Sequence, residues 1–260
     1  MFATLLHEVP LQGGDVTDGV VRVGDTVRRP ARPSTPAVHA LLRHLEAAGF
    51  EGAPRVVGMD GLGREILTYI PGTTGLTMAT VTDEALVRLA ALLRDFHDAT
   101  ASFPLTLDGW EGGSNDDAAP EVVGHCDLTI ENVIFRNGLP HALIDFDLAR
   151  PTTRLFDIVT TLRHWAPIAD PVDLPPLQRG LDVGTRLRLF CDAYGVPPRE
   201  RRRLLELSRL RFHRSYTVMR ERAEAGGSWA RMWASGAGER IRRATAWLDA
   251  HEDRLHAHLV

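Results

Sequence analysis

The chain has 260 residues, and its 30 basic side chains against 34 acidic ones give a formal net charge of −4. With 44% hydrophobic and 25% charged residues it has the composition of an ordinary globular protein, and the mild acidity argues against nucleic acid as its main partner. None of the 30 cations is a lysine, which excludes Schiff-base and pyridoxal-phosphate chemistry as well as a Walker A phosphate loop.

Residues 1–70 are read as a strand-rich region. Gly13, Gly14 and Gly19 bracket a glycine-rich turn. Val20–Val23 and Thr26–Arg29 then extend on either side of Gly24-Asp25 as a hairpin. Helical spacing of Val38, Leu41, Leu42 and Leu45 predicts a helix over 37–48, closed by Gly49. Arg55–Gly58 and Glu65–Ile70 form a second hairpin around Asp60-Gly61, and 71–75 reads as a linker. Beyond it Thr82 or Asp83 caps a helix carrying Leu86, Leu89, Leu92, Leu93 and Phe96. A polar loop spans 108–120, strands dominate 121–146, and helices are expected at 153–165, 183–194, 198–223 and 238–258. The arginine-rich stretch from Arg199 to Arg214, which includes Arg211, reads as a solvated helix face. Trp229, Trp233 and Trp247 read as packing residues.

The two cysteines, Cys126 and Cys191, imply no disulfide framework and point to a reducing, cytoplasmic setting. Glu8 sits where a signal peptide would be apolar, and no run approaches the roughly 18 apolar residues of a membrane span. Neither export nor a membrane partner is expected.

The informative stretch runs from His125 to Asp147. His125, Asp127 and Asn132 precede a strand, Asn137-Gly138 is a strong hairpin-turn signal, and the return strand ends at Asp145-Phe146-Asp147. Pairing Arg136 with Leu139 makes partner numbers sum to 275, setting Asn132 opposite Leu143 and bringing Asp145 to the same end as Asp127. Asn132 and Asp145 suit Mg²⁺, a hard cation that takes oxygen ligands. Asp127 could accept a proton from an attacking hydroxyl. These are the parts that phosphoryl transfer requires.

The spacing H-x-D-x-x-x-x-N, the hairpin and the Ile144-Asp145-Phe146 close resemble the aminoglycoside phosphotransferase family of small-molecule kinases, within the protein kinase-like superfamily. Asp147 stands where protein kinases carry glycine, as in the small-molecule branch. Arg94–Asp98 and Phe156-Asp157-Ile158 echo further family segments. The resemblance implies an α+β bilobal fold, with a small antiparallel-sheet N-lobe (1–71) that binds nucleotide and a larger, mainly helical C-lobe (72–260) that holds the catalytic and acceptor sites. It makes Asp127 the catalytic base, Asn132 and Asp145 the Mg²⁺ ligands, His125 a brace and Asp157 the anchor of the loop backbone. Gly13, Gly14 and Gly19 would cover the phosphates of ATP or GTP, and Leu67, Tyr69 and Ile70 would belong to a hinge meeting the base. The acceptor implied is a small-molecule hydroxyl, first of all that of an aminoglycoside or related antibiotic.

Two departures from the family pattern stand out. The lysine of the third strand is replaced by Arg28 or Arg29, and alternation favours Arg29, which shares a face with Val27. The helix that should supply a glutamate to this cation has no acid before Glu46. That omission motivates a second reading, a nucleotide-binding pseudokinase or immunity-type binding protein with little turnover. A third, a metal-dependent phosphohydrolase using His125, Asp127, Asp145 and Asp147, lacks the further ligands of a dinuclear centre.

Overall fold

The computed structural model describes residues 7–11, 19–75, 81–106, 108–112 and 116–260. Gly13 and Gly14 lie outside the described residues. The first lobe is a five-stranded antiparallel sheet ordered β1-β2-β3-β5-β4, formed by β1 (Val9–Pro10), β2 (Val21–Val23), β3 (Thr26–Pro30), β4 (Val56–Met59) and β5 (Arg64–Thr68). Gly24, at φ +60°, begins the turn from β2 to β3. Helix α1 (Thr35–Ala47) packs under the sheet. It ends on Gly49 at φ +76°, where the Phe50 N–H reaches the Leu45 carbonyl at 2.9 Å and Gly49 N–H that of Glu46. That is the left-handed closure glycine permits without a Cβ clash.

The expected linker is not featureless. Thr73–Thr74 form a strand, β6, which joins β8 (Val133–Arg136) and β9 (Leu139–Leu143) in a three-stranded sheet. Helix α2 (Asp83–Thr100) starts at Thr82, whose side chain caps the Ala85 N–H. Short strands β7 (Val122–Gly124) and β10 (Arg150–Thr152) pair with each other before α3 (Arg154–Trp165). Then come α4 (Val183–Tyr194) and the short α5 (Pro198–Arg201). Helices α6 (Leu204–Glu224), α7 (Gly227–Ala234) and α8 (Ala237–Leu259) complete the chain. The single helix read over 198–223 is thus two, broken by a turn at Arg202-Arg203, and α7 was not anticipated.

One hydrophobic core threads both lobes. It runs from Leu41, Leu42 and Leu45 of α1 through Leu89, Leu93 and Phe96 of α2 to Phe146, Trp165 and Phe190, all buried. Helix α2 packs on α4, and α6 on α3 and α8. Among the described residues no helix is long and apolar enough to cross a membrane.

Candidate active site

The hairpin β8–β9 places the polar residues. Asn137 and Gly138 take positive φ of +53° and +78°, the two-residue turn expected of that pair. Arg136 faces Leu139 as the spacing predicts, but a bulge between Ile134 and Phe135 shifts the register by one, so Val133 faces Leu143. The Ile144 N–H bonds to the Asn132 carbonyl at 2.9 Å. Asn132 is therefore opposite Ile144 rather than Leu143, one residue nearer Asp145. The Asn132 Nδ2 donates to the Asp127 carbonyl (2.9 Å) and to its Oδ2 (3.2 Å).

The loop before the hairpin is pinned by a single carboxylate. Asp157, fully buried on α3, accepts the backbone N–H of His125 and of Cys126, each at 2.8 Å. The His97 ring completes its shell at 2.9 Å. Burial opposes its charge, yet the His97 hydrogen bond and charge hold the Asp157 carboxyl below its ordinary pKa. Gly124 leaves room for this approach, since a Cβ there would sit 2.9 Å from the Asp157 carboxylate. Cys126 and Asp145 both hold positive φ without being glycine, at +61° and +62°. Such strain concentrates at functional sites. The buried His125 ring bonds the Ile144 carbonyl at 3.0 Å, and desolvation lowers its pKa. It ties the loop to the end of β9 and faces away from the cavities.

Two cavities meet at this point. The smaller, about 220 Å³, lies between the lobes. It is lined by Val27 and Leu67, by Tyr69 and Ile70 after β5, by Ile144 and by Arg29. Leu11 and Val20, the described residues flanking the glycine-rich segment, also reach it, while Gly19 (φ +83°) rests near Pro30. The larger cavity, about 440 Å³, opens in the helical lobe and is lined by Asp127, Thr160, Arg211 and Trp229 among others. Asn132 and Asp145 line both. Asp127 stands on the larger side only. Burial, and next the Asp145 charge, push the Asp127 carboxyl up to about 7, against the pull of Arg211 and Arg150.

Arg29, not Arg28, turns into the site. Arg28 is on the other face, 3.6 Å from Asp60. The Arg29 Nε meets Glu65 at 2.6 Å, Nη1 meets Asp145 at 2.8 Å, and Nη2 pairs with Asp147. Burial disfavours its charge, but these carboxylates outweigh that and raise its pKa. The glutamate partner missing from α1 is thus supplied by β5, where Glu65 is the register partner of Arg29. Helix α1 offers His39 instead, 2.8 Å from Glu65. A signal for this was present in the sequence. Glu65 shares the inward face of its strand with Leu67, and an acid on a buried face needs a cation.

The residues present fit a hard divalent cation. Asn132 spends its Nδ2 on Asp127, which leaves its oxygen free to coordinate. One Asp145 oxygen holds Arg29, and the repulsion between Asp145 and Asp127 is what a cation would relieve. A dinuclear centre finds no support, because no group of three or more His, Cys, Asp or Glu side chains among the described residues could hold a metal.

Several lining residues were not anticipated. Arg211, Ser215, Val218, Met219 and Arg222 form one face of α6 toward the larger cavity. Arg211 is therefore in a cavity wall and not on a solvated face. Their spacing of three and four residues was the available signal. Trp229 likewise lines the cavity, with the Arg222 guanidinium 4.8 Å from its ring.

A family model described as the phosphotransferase enzyme family (APH) matches residues 11–113 and 107–205. The chain belongs to that family. It is 33% identical over 272 residues to the trifolitoxin immunity protein of Rhizobium leguminosarum bv. trifolii, covering 97% of this chain and 99% of that one. Its fold is similar to that of a choline/ethanolamine kinase family protein from Mesorhizobium loti (TM-score 0.64, 18% identity, 97% and 92% of the two chains). Amicoumacin kinase hAmiN in complex with AMP-PNP, Ca²⁺ and Ami is also similar (0.62, 12%, 99% and 89%). So is the GDP complex of aminoglycoside 2'-phosphotransferase-IIIa (0.57, 16%, 98% and 93%). These neighbours share the bilobal protein kinase-like architecture of a small antiparallel sheet and a larger helical part.

Proposed function

We propose that this member of the phosphotransferase enzyme family transfers the γ-phosphate of ATP or GTP to a hydroxyl of a small molecule, with Mg²⁺. The observation carrying the reading is the meeting of Asp127, Asn132 and Asp145 where the two cavities join. The purine would lie between Val27 and Ile144 beside the Leu67–Ile70 hinge, with Arg29 at the phosphate end. Gly13, Gly14 and Gly19 would border the phosphates. Asn132 and Asp145 would hold Mg²⁺, which when bound supplies positive charge to the transferring phosphates.

Asp127 faces the acceptor cavity and would take the proton of the attacking hydroxyl. Its raised pKa suits that task, because a general base works best near the ambient pH. Asp157 and His125 would keep the loop in position without touching substrate. Similarity to an amicoumacin kinase and an aminoglycoside phosphotransferase makes an antibiotic a first acceptor class to test. The setting proposed is the cytoplasm.

A second reading has its own support. All three Arg29 nitrogens are engaged by carboxylates, and the 33%-identical relative is named for immunity. In that reading the chain binds nucleotide or toxin with little turnover. Calorimetry with ATP, GTP and Mg²⁺, followed by phosphate-transfer assays over an acceptor panel, separates the two. Transfer abolished by Asp127→Asn with nucleotide binding retained supports the kinase. Nucleotide binding without transfer to any acceptor supports the binding protein. No nucleotide binding at all removes both nucleotide-based readings.

A further inference from the structure

The larger cavity has a charge pattern that goes beyond phosphotransfer in general. Four arginines line it: Arg32, Arg150, Arg211 and Arg222. Two of them are already spent on the wall. Arg32 and Arg222 hold Glu111 from either side, at 3.2 and 3.3 Å, and Arg32 also meets Asp147 at 3.2 Å. The other two are not. Neither Arg150 nor Arg211 has a carboxylate within ion-pairing distance among the described residues, and the Arg150 Nε is buried with no hydrogen-bond partner.

Burial lowers the Arg211 pKa to about 10, with further pressure from the Arg163 charge. It remains a cation at neutral pH, half-buried in the cavity wall, with the Asp127 charge near it but no carboxylate bonded to it. His164 beside it is held neutral by burial and by Arg211 and Arg163, so it offers no negative charge. A half-buried cation with no carboxylate bonded to it is a ready seat for a ligand's counter-charge.

The carboxylates of the wall are meanwhile unavailable to a cationic guest. Glu111 and Asp147 are each bridged by two arginines, and Glu131 is not free. A polyamine such as an aminoglycoside would bring ammonium groups against Arg150 and Arg211 and find only Asp127, and Asp145 with one oxygen already on Arg29, to meet them. Beside the arginines the wall is apolar, with Val218 and Met219 on the same face of α6 as Arg211, and Trp229 and Met232.

We propose that the acceptor is an anionic alcohol, with a carboxylate or phosphate group seated between Arg150 and Arg211 and an apolar group against Met219 and Trp229, its hydroxyl presented to Asp127. This rests on the phosphotransferase reading and names its substrate class. An aromatic hydroxy acid has the required parts. The transfer moves the γ-phosphoryl group to the acceptor oxygen, breaks its bond to the β-phosphate oxygen and leaves the hydroxyl proton on Asp127.

The test is calorimetric binding of four probes to the wild-type protein: 3-phenyllactate, its phosphonate analogue, neutral 3-phenyllactamide and kanamycin. Tighter binding of at least one anion than of the amide, with kanamycin weakest, is expected. Comparing the two anions tells a carboxylate site from a phosphate site. Arg211→Gln and Arg150→Gln should each weaken anion binding about tenfold or more, as for loss of a hydrogen bond to a charged group. Arg211→Lys should retain most of it. Equal binding of acid and amide, tighter binding of kanamycin, or no binding of either anion overturns the assignment. Nucleotide binding is followed in parallel. Its absence is a failure of the phosphotransfer reading, and the anion preference of the wild-type cavity is read independently of it.

Discussion

Replacing Arg29 with methionine removes one guanidinium from three carboxylates at once, and their surroundings decide the cost. Asp145 has 32% of its side chain exposed and can be rehydrated. Asp147 keeps Arg32 at 3.2 Å. Glu65 is only 1% exposed and is left with His39 alone. The stranded Glu65 therefore dominates, and breaking one side of a buried ion pair costs about 3–5 kcal/mol. Urea denaturation followed by circular dichroism should show Arg29→Met losing stability on that scale. The deficit should shrink on acidification, as the stranded carboxylates take up protons. The double variant Arg29→Met, Glu65→Leu removes both partners and should recover roughly 2 kcal/mol relative to the sum of the single changes. A loss below about 1 kcal/mol for Arg29→Met, or strict additivity in the double variant, would refute the idea that this buried pair within the first lobe's sheet holds Arg29 in place.

Asp127→Asn should lower kcat by roughly 10²–10⁴-fold with nucleotide affinity little changed, measured by coupled assay and calorimetry. The same variant should gain stability over wild type as pH rises from 4 toward 8. A carboxyl pushed up to about 7 is destabilising once the unfolded chain has ionised, and the amide is not. Asp157→Ala strands the His125 and Cys126 N–H groups and the His97 ring, and should cost about 3–5 kcal/mol in urea unfolding while kcat falls through a loosened Asp127 loop. Stability should also decline as pH falls below the ordinary histidine value of 6.5, because the unfolded chain binds protons that the buried His125 and His164 rings refuse. His125→Gln and His164→Gln should each flatten part of that slope, and an unchanged slope in both would exclude the assignment.

The features legible in the sequence are those set by short-range rules. Asn137-Gly138 dictates its turn, alternation along β3 turns Arg29 rather than Arg28 inward, and the helix caps at Gly49 and Thr82 follow from local geometry. A one-residue bulge in this hairpin was allowed for by the sequence, but its presence at Ile134/Phe135 was not decided there, because both registers keep an apolar face inward over so short a hairpin. Glu65 escaped notice because its partner lies on another strand, 36 positions away. The α6 wall of the larger cavity was hidden for a similar reason. Arg211 and Arg209 are two residues apart on one helix, yet Arg209 pairs with Asp249 and Glu252 on α8 while Arg211 turns into the cavity. Only the packing of α6 between α3 and α8 separates those fates.

The absence of lysine acquires a structural reason at Arg29. An ammonium is a single nitrogen, whereas the guanidinium carries its donors on three nitrogens in one rigid plane. Here those nitrogens point to three different acids, Glu65 on β5 and Asp145 and Asp147 beyond β9. Lysine at this position would carry the same charge but hold its three donors on one nitrogen, without the reach of three separate nitrogens. The guanidinium links the sheet of the first lobe to the end of the hairpin in the second. Under the proposed function it also bears on nucleotide binding. Asp145, on Nη1, is the most exposed of the three partners. If Asp145 turned to a divalent cation, it would release that Arg29 donor for a phosphate, and the two binding events would be halves of one exchange.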